Sequence, residues 1–297
     1  MVNSSPPLPV SIVIPTWNRA HTLGRAIESA LAQSCPAAEI VVSDNASTDG
    51  TADLVADYSR RDHRIKYLRA EANTGPVNNW RRGIEAARGP LIKVLFSDDR
   101  LDPQFLELTA SLWDLDHPPR FAYTRFGPAE GGATVHAGPP SLIRERPWVF
   151  LRKSLITHGD VPVSLSAGLF LKEDLLAAWG PRILAPAGHS FDFLGTGVGY
   201  DQAVFLHAAH QAEWVAQLPA KLVYFGGQAD SISIRTNRAK PGSLIRAYLW
   251  AQLFFVLHAY ADRPMTRTFL LTCIHAQLLK HNVRHHPWVM SWLPAPT

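Results

Sequence analysis

The stretch LIKVLFSDDRLDP, residues 91–103, carries an apolar run straight into the adjacent acids Asp98 and Asp99, with Asp102 close behind. Two neighbouring carboxylates repel, so a strand that delivers them together at its exit does so most usefully where a cation meets them. Hard divalent ions such as Mg²⁺ or Mn²⁺ take carboxylate oxygens together with phosphate and water. An ion held that way neutralises charge on a phosphate leaving group. An isolated acid pair is read more simply, with Asp98 capping a turn and Asp99 solvated. This pair is not isolated, because the polar segments PTWNR, SDNASTDG and RAEANTG close three earlier apolar runs in the same way.

The elements that would position these segments follow from period. VSIVIP, EIVVSD, RIKYLRA and LIKVLF are short β-rich runs. Between them, HTLGRAIESALAQ repeats Leu23, Ile27, Ala30 and Leu31 at helical spacing, TADLVADYSRRD does so with Leu54, Val55 and Tyr58, and VNNWRRGIEAARG is a helix stopped by Gly89. Strand and helix in alternation mean βαβ units and a parallel sheet. Ligands of such sheets bind beyond the carboxyl ends of the strands, where all four polar segments gather.

The chain has 297 residues and 46% hydrophobic content, enough for a sizeable core. Its formal charge of +4 comes from scattered bases, which suits an anionic small substrate and gives no reason to expect a nucleic-acid partner. Cys35 and Cys273 form no framework and no CxxC spacing, pointing to a reducing compartment. MVNSSPPLP lacks the pattern of a secretory leader, and AYLWAQLFFVLHAY, interrupted by Gln252 and His258, is too short to span a bilayer. A cytoplasmic protein is expected, peripheral at the inner face of the membrane if its tail makes contact there.

SIVIPTWNRAHTLGRAIESALAQ, EIVVSDNASTDGT, NTGPVNNW and LIKVLFSDDRLDP, in this order and spacing, resemble the family 2 glycosyltransferases, the nucleotide-diphospho-sugar transferases of GT-A fold. The resemblance is specific over roughly residues 10–105 and weaker over 160–235. It implies an α/β GT-A fold, Rossmann-like, with a mostly parallel sheet flanked by helices. It implies transfer of a sugar, with inversion, from a nucleotide-diphosphate donor, a UDP-sugar first, to a hydroxyl of a glycan or lipid-linked acceptor. A Mn²⁺ or Mg²⁺ ion on the diphosphate belongs to the same expectation, with Asp99 as first ligand and Asp98 as second, or Asp98 facing the donor sugar or ribose. The family often has an acid where this chain has Phe96, which shortens the cluster to FSDD.

By the same resemblance Asp44 recognises the nucleobase; a helix beginning near Thr51 would be capped better by Ser47, Thr48 or Asp49, leaving Asp44 free. Pro15, Thr16 and Trp17 would line the nucleotide slot, and Arg19 would reach a phosphate or pair with an acid. Asn73 and Asn79 would border the donor pocket, with Trp80 in the core. A base must take the acceptor's proton. The family places it as an Asp at a helix start in the second half of the domain, where Asp201 in GYDQAVFLHAA is the first choice and Asp192 in HSFDFLG the second. The plainer role of Asp201 is to complement the helix dipole.

After about residue 104 the pattern loosens. HPPRFAYTRFGPAEGGATVHAGPPS reads as loops between short strands, a strand and helix return near SLSAGLFLKEDLLAAWG, and AKLVYFG is a strand. A GT-A domain is therefore expected over 1–235, with a nucleotide-binding half at 10–105 and an acceptor half at 106–235, followed by a helical C-terminal extension at 236–297. GTGVGY is not a dinucleotide fingerprint and reads as a flexible acceptor-side loop; His281, His285 and His286 read as a helix end rather than a zinc site. In VYFGGQADSIS the family often carries Arg and His, and Gly226, Gly227 and Gln228 depart from that. The closing RHHPWVMSWLP, with Trp288, Met290 and Trp292, suits a bilayer interface or packing on the domain. Two other classes remain: a non-catalytic sugar-nucleotide-binding protein, and a sugar nucleotidyltransferase, whose Gly-rich loop PTWNRAHT lacks.

Overall fold

The computed structural model describes residues 8–128, 141–157, 159–178, 193–226 and 243–280. The alternation read from the first hundred residues is built as β1 (Val10–Thr16), α1 (Ala20–Leu31), β2 (Glu39–Asp44), α2 (Thr51–Arg61), β3 (Ile65–Arg69), α3 (Pro76–Ala86) and β4 (Leu91–Val94). There follow β5 (Arg100–Leu101), α4 (Phe105–Ala110), β6 (Phe121–Pro128), β7 (Ile143–Glu145), α5 (Pro147–Arg152), β8 (Gly168–Leu171), α6 (Lys172–Ala178), α7 (Phe193–Thr196), α8 (Tyr200–His210) and β9 (Val215–Phe225). Helices α9 (Ser243–Ala259) and α10 (Pro264–Lys280) end the described chain.

One sheet runs in the order β3-β2-β1-β4-β8-β6-β9-β5, with β7 beside β9. It is parallel from β3 to β4, as expected, and again where β6 meets β9. Strand β8 is antiparallel to both β4 and β6, and β5 and β7 are antiparallel to β9, so short antiparallel pairings join a sheet whose longer ladders are parallel. Only a strand-helix-strand crossover forces parallel pairing, and that alternation stops after β4. The segment read as loops between short strands contains the eight-residue β6, which sits between β8 and β9 inside the sheet. Its Phe121 and Tyr123 face one side and Ala122 the other, the two-residue period of a strand.

The same period divides the core. Val13, Val41 and Val94 point to one face, where α3, α5, α6 and α8 pack; Ile12, Ile14, Ile40 and Val42 point to the other, against Leu23 and Ile27 of α1 and Phe105 of α4. The C-terminal helices belong to the first of these layers. Leu249, Trp250 and Val256 of α9 and Leu271 and Ile274 of α10 are buried in one cluster with Val13 and Phe205. Among the described residues no helix is long and apolar enough to cross a membrane. The histidines of the tail and Trp288, Met290 and Trp292 lie outside the described residues, as do Asp192, Gly227 and Gln228.

Candidate active site

The exits of β1 to β4 open, as the topology requires, into one cleft of about 830 Å³. Pro15, Thr16, Trp17, Arg19, Asn73, Asn79, Asp98, Asp99 and Asp201 all line it. Residues scattered over most of the sequence thus meet at one sheet edge. Along that edge the cleft passes from the β3-β2-β1 loops, across the acid pair after β4, to the elements around β8 and β9.

The first wall is stitched by side chains that hold loops together. Asn18, in a left-handed conformation, accepts from Thr48 N–H through its Oδ1 at 2.8 Å and donates its own N–H to Ser47 Oγ, joining the loops after β1 and β2. Asp49 accepts from Ala20 N–H and from Thr51 N–H, which ties the starts of α1 and α2 together. Asn79 is buried, and its amide donates to the carbonyls of Ser43 at 2.9 Å and Thr16 at 3.3 Å. Gly83, one turn later, permits that approach, since a Cβ there would lie 2.6 Å from Val13 Cγ1. Asn73 accepts from Asn45 Nδ2 and from Gly75 N–H, ordering the loop after β3. Trp17 remains 45% exposed, with its ring available to a flat ligand.

Asp44 departs from the expectation. Its carboxylate is fully buried and does not line the cleft. One oxygen accepts from Ser47 N–H and Oγ, and the other from Tyr67 O–H at 2.6 Å, with Arg69 Nε at 3.7 Å. Its acceptor sites are taken by the protein, and the cleft-lining side chain beside it is Asn45. Asp102 is also structural, accepting from Gln104 N–H and Tyr224 O–H. Trp80, expected only in the core, also forms cleft wall, where Phe96 tilts against its ring at 5.1 Å. The residue in place of an acid therefore supplies an apolar contact.

Asp98 and Asp99 differ in environment. Asp98 is partly exposed, whereas Asp99 is 3% exposed, and its Oδ1 accepts from Gly226 N–H at 3.1 Å. Gly226 is required there, because a Cβ would fall 1.9 Å from the Asp98 carbonyl oxygen. Burial, then the neighbouring Asp98 charge, push the Asp99 carboxyl up to about 7, against the opposing pull of Ser166 O–H, Gly226 N–H and Lys93. Oδ2 of Asp99 is buried without a hydrogen-bond partner. An orphaned carboxylate oxygen beside a second carboxylate fits a hard cation. Among the described residues no cluster of three or more His, Cys, Asp or Glu could hold an ion unaided. Asp98 and Asp99 fit an ion whose remaining ligands come from a bound diphosphate and water, as Mg²⁺ commonly has.

Beneath the pair lies Lys93, a fully buried lysine on β4 with no counterpart among the residues picked out in the sequence. It bonds the Ser166 carbonyl, approaches that of Gly168 at 3.5 Å and sits 3.8 Å over the Phe105 ring. Burial pushes its pKa well down, and Asp99 opposes that shift. Lys93 thus pins the short turn Leu165–Ala167, whose residues serve both acids. Ser166 Oγ accepts from Phe96 N–H at 3.1 Å, while the Leu165 backbone favours the ionised form of Asp201.

Asp201 stands in the first turn of α8, 9% exposed, and its Oδ1 has no hydrogen-bond partner. Burial pushes its carboxyl up to about 8; the N–H groups of Leu165 and Asp201 oppose this, and the Asp99 charge adds to it. The acids share one field, so each disfavours the other's ionisation. GTGVGY, read as flexible, packs tightly: Gly197 at φ +72 takes the Trp80 ring, and a Cβ at that position would meet it at 2.5 Å. Gly195, Gly197 and Val198 line the cleft beside Asp201, as does Tyr248 from α9.

With this geometry in place, the chain can be set beside known proteins. The pattern that defines glycosyl transferase family 2 matches residues 11–159. Succinoglycan biosynthesis protein ExoO of Rhizobium meliloti is 44% identical over 97 residues, 33% of this chain and 27% of that protein. GalNAc(5)-diNAcBac-PP-undecaprenol beta-1,3-glucosyltransferase of Campylobacter jejuni is 38% identical over 93 residues, 31% of this chain and 30% of that enzyme. The match thus spans less than a third of either relative's length. The crystal structure of S. aureus TarS 1-349 in complex with UDP-GlcNAc superposes with a TM-score of 0.64 at 17% identity, covering 91% of this chain and 73% of that one. The fold is GT-A, and the chain belongs to glycosyl transferase family 2.

Proposed function

We propose that this chain is an inverting glycosyltransferase that moves a sugar from a nucleotide-diphosphate donor, a UDP-sugar first, to a hydroxyl of a glycan or lipid-linked acceptor. The observation that carries the reading is the meeting, in one cleft, of a buried helix-start carboxylate with an open oxygen, Asp201, and the strand-exit pair Asp98 and Asp99. The TarS complex with UDP-GlcNAc supports the donor class, and the undecaprenol-linked substrate in the Campylobacter enzyme's name supports the acceptor class.

Asp201 accepts the proton of the attacking hydroxyl as its oxygen bonds the anomeric carbon. The bond from that carbon to the β-phosphate oxygen breaks on the opposite face, and its electron pair leaves with the diphosphate. One displacement with one base inverts the centre and needs no second carboxylate nucleophile. The loops after β1, β2 and β3, fixed by Asn18, Asn79 and Asn73, hold the nucleotide end, with Trp17 against it. Asp99 and Asp98 would hold Mn²⁺ or Mg²⁺, which supplies charge neutralisation on the departing diphosphate.

A thermal-shift screen of UDP-, GDP-, CDP- and dTDP-sugars with and without Mn²⁺ tests the reading. Ligands that bind only the folded state raise its melting temperature. One nucleotide class should stabilise the chain, and more so with Mn²⁺; no response to any donor at saturating concentration overturns the proposal.

A further inference from the structure

Helix α9 belongs to the segment that resembles no family motif, yet it reaches the catalytic acid. Gly199, the residue before α8, adopts φ +91, and a Cβ there would meet the Ala247 carbonyl oxygen at 3.1 Å and Ala251 Cβ at 3.3 Å. The backbone of α9 therefore lies directly on the turn that launches Asp201. Residue 248, next along that helix, is a tyrosine that lines the cleft with Asp201 and Val163. Its hydroxyl lies 3.5 Å from the Val163 carbonyl, the outer limit of a hydrogen bond, so its donor is only loosely engaged. Burial raises the Tyr248 phenol's pKa, and the Asp201 charge adds to the shift, so the hydroxyl is within electrostatic reach of the base and stays protonated.

Asp201, Tyr248 and Val163 line one cleft with Phe225, which ends β9, a strand that sheet order separates from β1, β2 and β3 by β4, β8 and β6. Apolar surface accompanies them: Val163 is 48% exposed, and Phe225 is 39% exposed, held edge-on by Phe126 at 4.9 Å. A phenol O–H and a carboxylate lining one cleft with a fixed aromatic face suit a pyranose, which offers adjacent hydroxyls on its rim and C–H bonds on its face.

Given the transferase reading of this cleft, we propose that Tyr248 and Asp201 form the acceptor seat and that the acceptor is a glycoside. Its attacking hydroxyl faces Asp201, an adjacent oxygen accepts from Tyr248 O–H, and its ring lies against Phe225. Tyr248 binds acceptor and takes no part in donor binding.

The test compares wild type with Tyr248→Phe, which keeps the ring packing and loses the hydroxyl. UDP release from UDP-GlcNAc with Mn²⁺ is followed with water alone and with the methyl glycosides of glucose, galactose, mannose and N-acetylglucosamine as probe acceptors; UDP affinity is measured by calorimetry. At least one glycoside should accelerate release by wild type. Tyr248→Phe should raise that glycoside's KM by roughly 3- to 10-fold, the loss of one neutral hydrogen bond, with UDP affinity unchanged. An unchanged KM overturns the role of Tyr248, and release that no glycoside accelerates overturns the acceptor class. A wild-type chain that binds none of the UDP-, GDP-, CDP- or dTDP-sugars sinks the transferase reading itself and this proposal with it; where a nucleotide other than UDP binds, the same comparison is run with its sugar donor. Tyr248→Ala, which also removes the ring, should raise the KM further; a smaller effect than Tyr248→Phe contradicts the seat.

Discussion

Replacing Asp201 with asparagine should stabilise the metal-free chain, and the gain should depend on pH in a fixed direction. Burial raises the folded-state carboxyl from 3.8 to about 8, so the fold prefers the protonated acid. Below about pH 4 both folded and unfolded chains carry the proton, and the acid costs nothing. Between there and pH 8 the unfolded chain ionises while the folded one does not, so stability falls as pH rises and levels off above the folded value. Four units at about 1.4 kcal/mol each set a ceiling near 6 kcal/mol. Residual contact with cleft water and the unpartnered Oδ1, where an asparagine must also sit, reduce the expected gain to ~2–4 kcal/mol at pH 8. Asparagine mimics the protonated acid in shape and does not titrate. Urea denaturation of both proteins in EDTA at pH 5 and pH 8 provides the assay. The advantage of Asp201→Asn should be small at pH 5 and grow toward pH 8. An advantage that is constant with pH, or larger at pH 5, would refute the buried-acid argument.

Two further outcomes follow from the acid pair and its support. Asp99→Ala should abolish the Mn²⁺-dependent part of UDP affinity in calorimetry while leaving the metal-independent part; unchanged Mn²⁺ dependence in a folded variant removes Asp99 as a ligand. Lys93→Met withdraws both a favourable charge and a donor to the Ser166 carbonyl. Asp99 should then ionise at higher pH, so Mn²⁺·UDP affinity should drop at pH 7 and recover by pH 8.5, and an equal loss at both pH values would mean that Lys93 matters only for packing.

The parallel half of the fold was legible because each of its elements announces itself locally. Val13, Val41 and Val94 alternate with Ile12, Ile40 and Leu95, and each of these strands runs out into polar residues, which lead into a helix after β1, β2 and β3. Strand β6 was not legible, since FAYTRFGP lies among prolines and glycines and is fixed only by pairing with β8 and β9, both distant in sequence. The same division holds at the site. Asp99 and Asp201 could be picked out by position in an element, but Asp44 could not be judged: Tyr67 and Ser47 occupy its oxygens, and neither contact has a sequence signature. Gly226 looked like a loss of family residues and proves to be the only side chain size that fits against Asp98. Lys93 did leave a trace, a lone lysine inside LIKVLF, which a buried strand tolerates only with partners. Tyr248 left none, because its place depends on how α9 crosses Gly199.

In the proposed reaction Asp201 takes the acceptor's proton in a metal-assisted transfer from a nucleotide sugar. The most direct test of that role is single-turnover release of UDP from UDP-GlcNAc with Mn²⁺ and the best probe glycoside, comparing Asp201→Asn with wild type at matched UDP occupancy. Asp201→Asn should keep wild-type UDP affinity and transfer at a rate lower by roughly 10²- to 10⁴-fold, the usual contribution of a positioned general base. An Asp201→Asn chain that binds UDP and transfers at the wild-type rate would contradict that role.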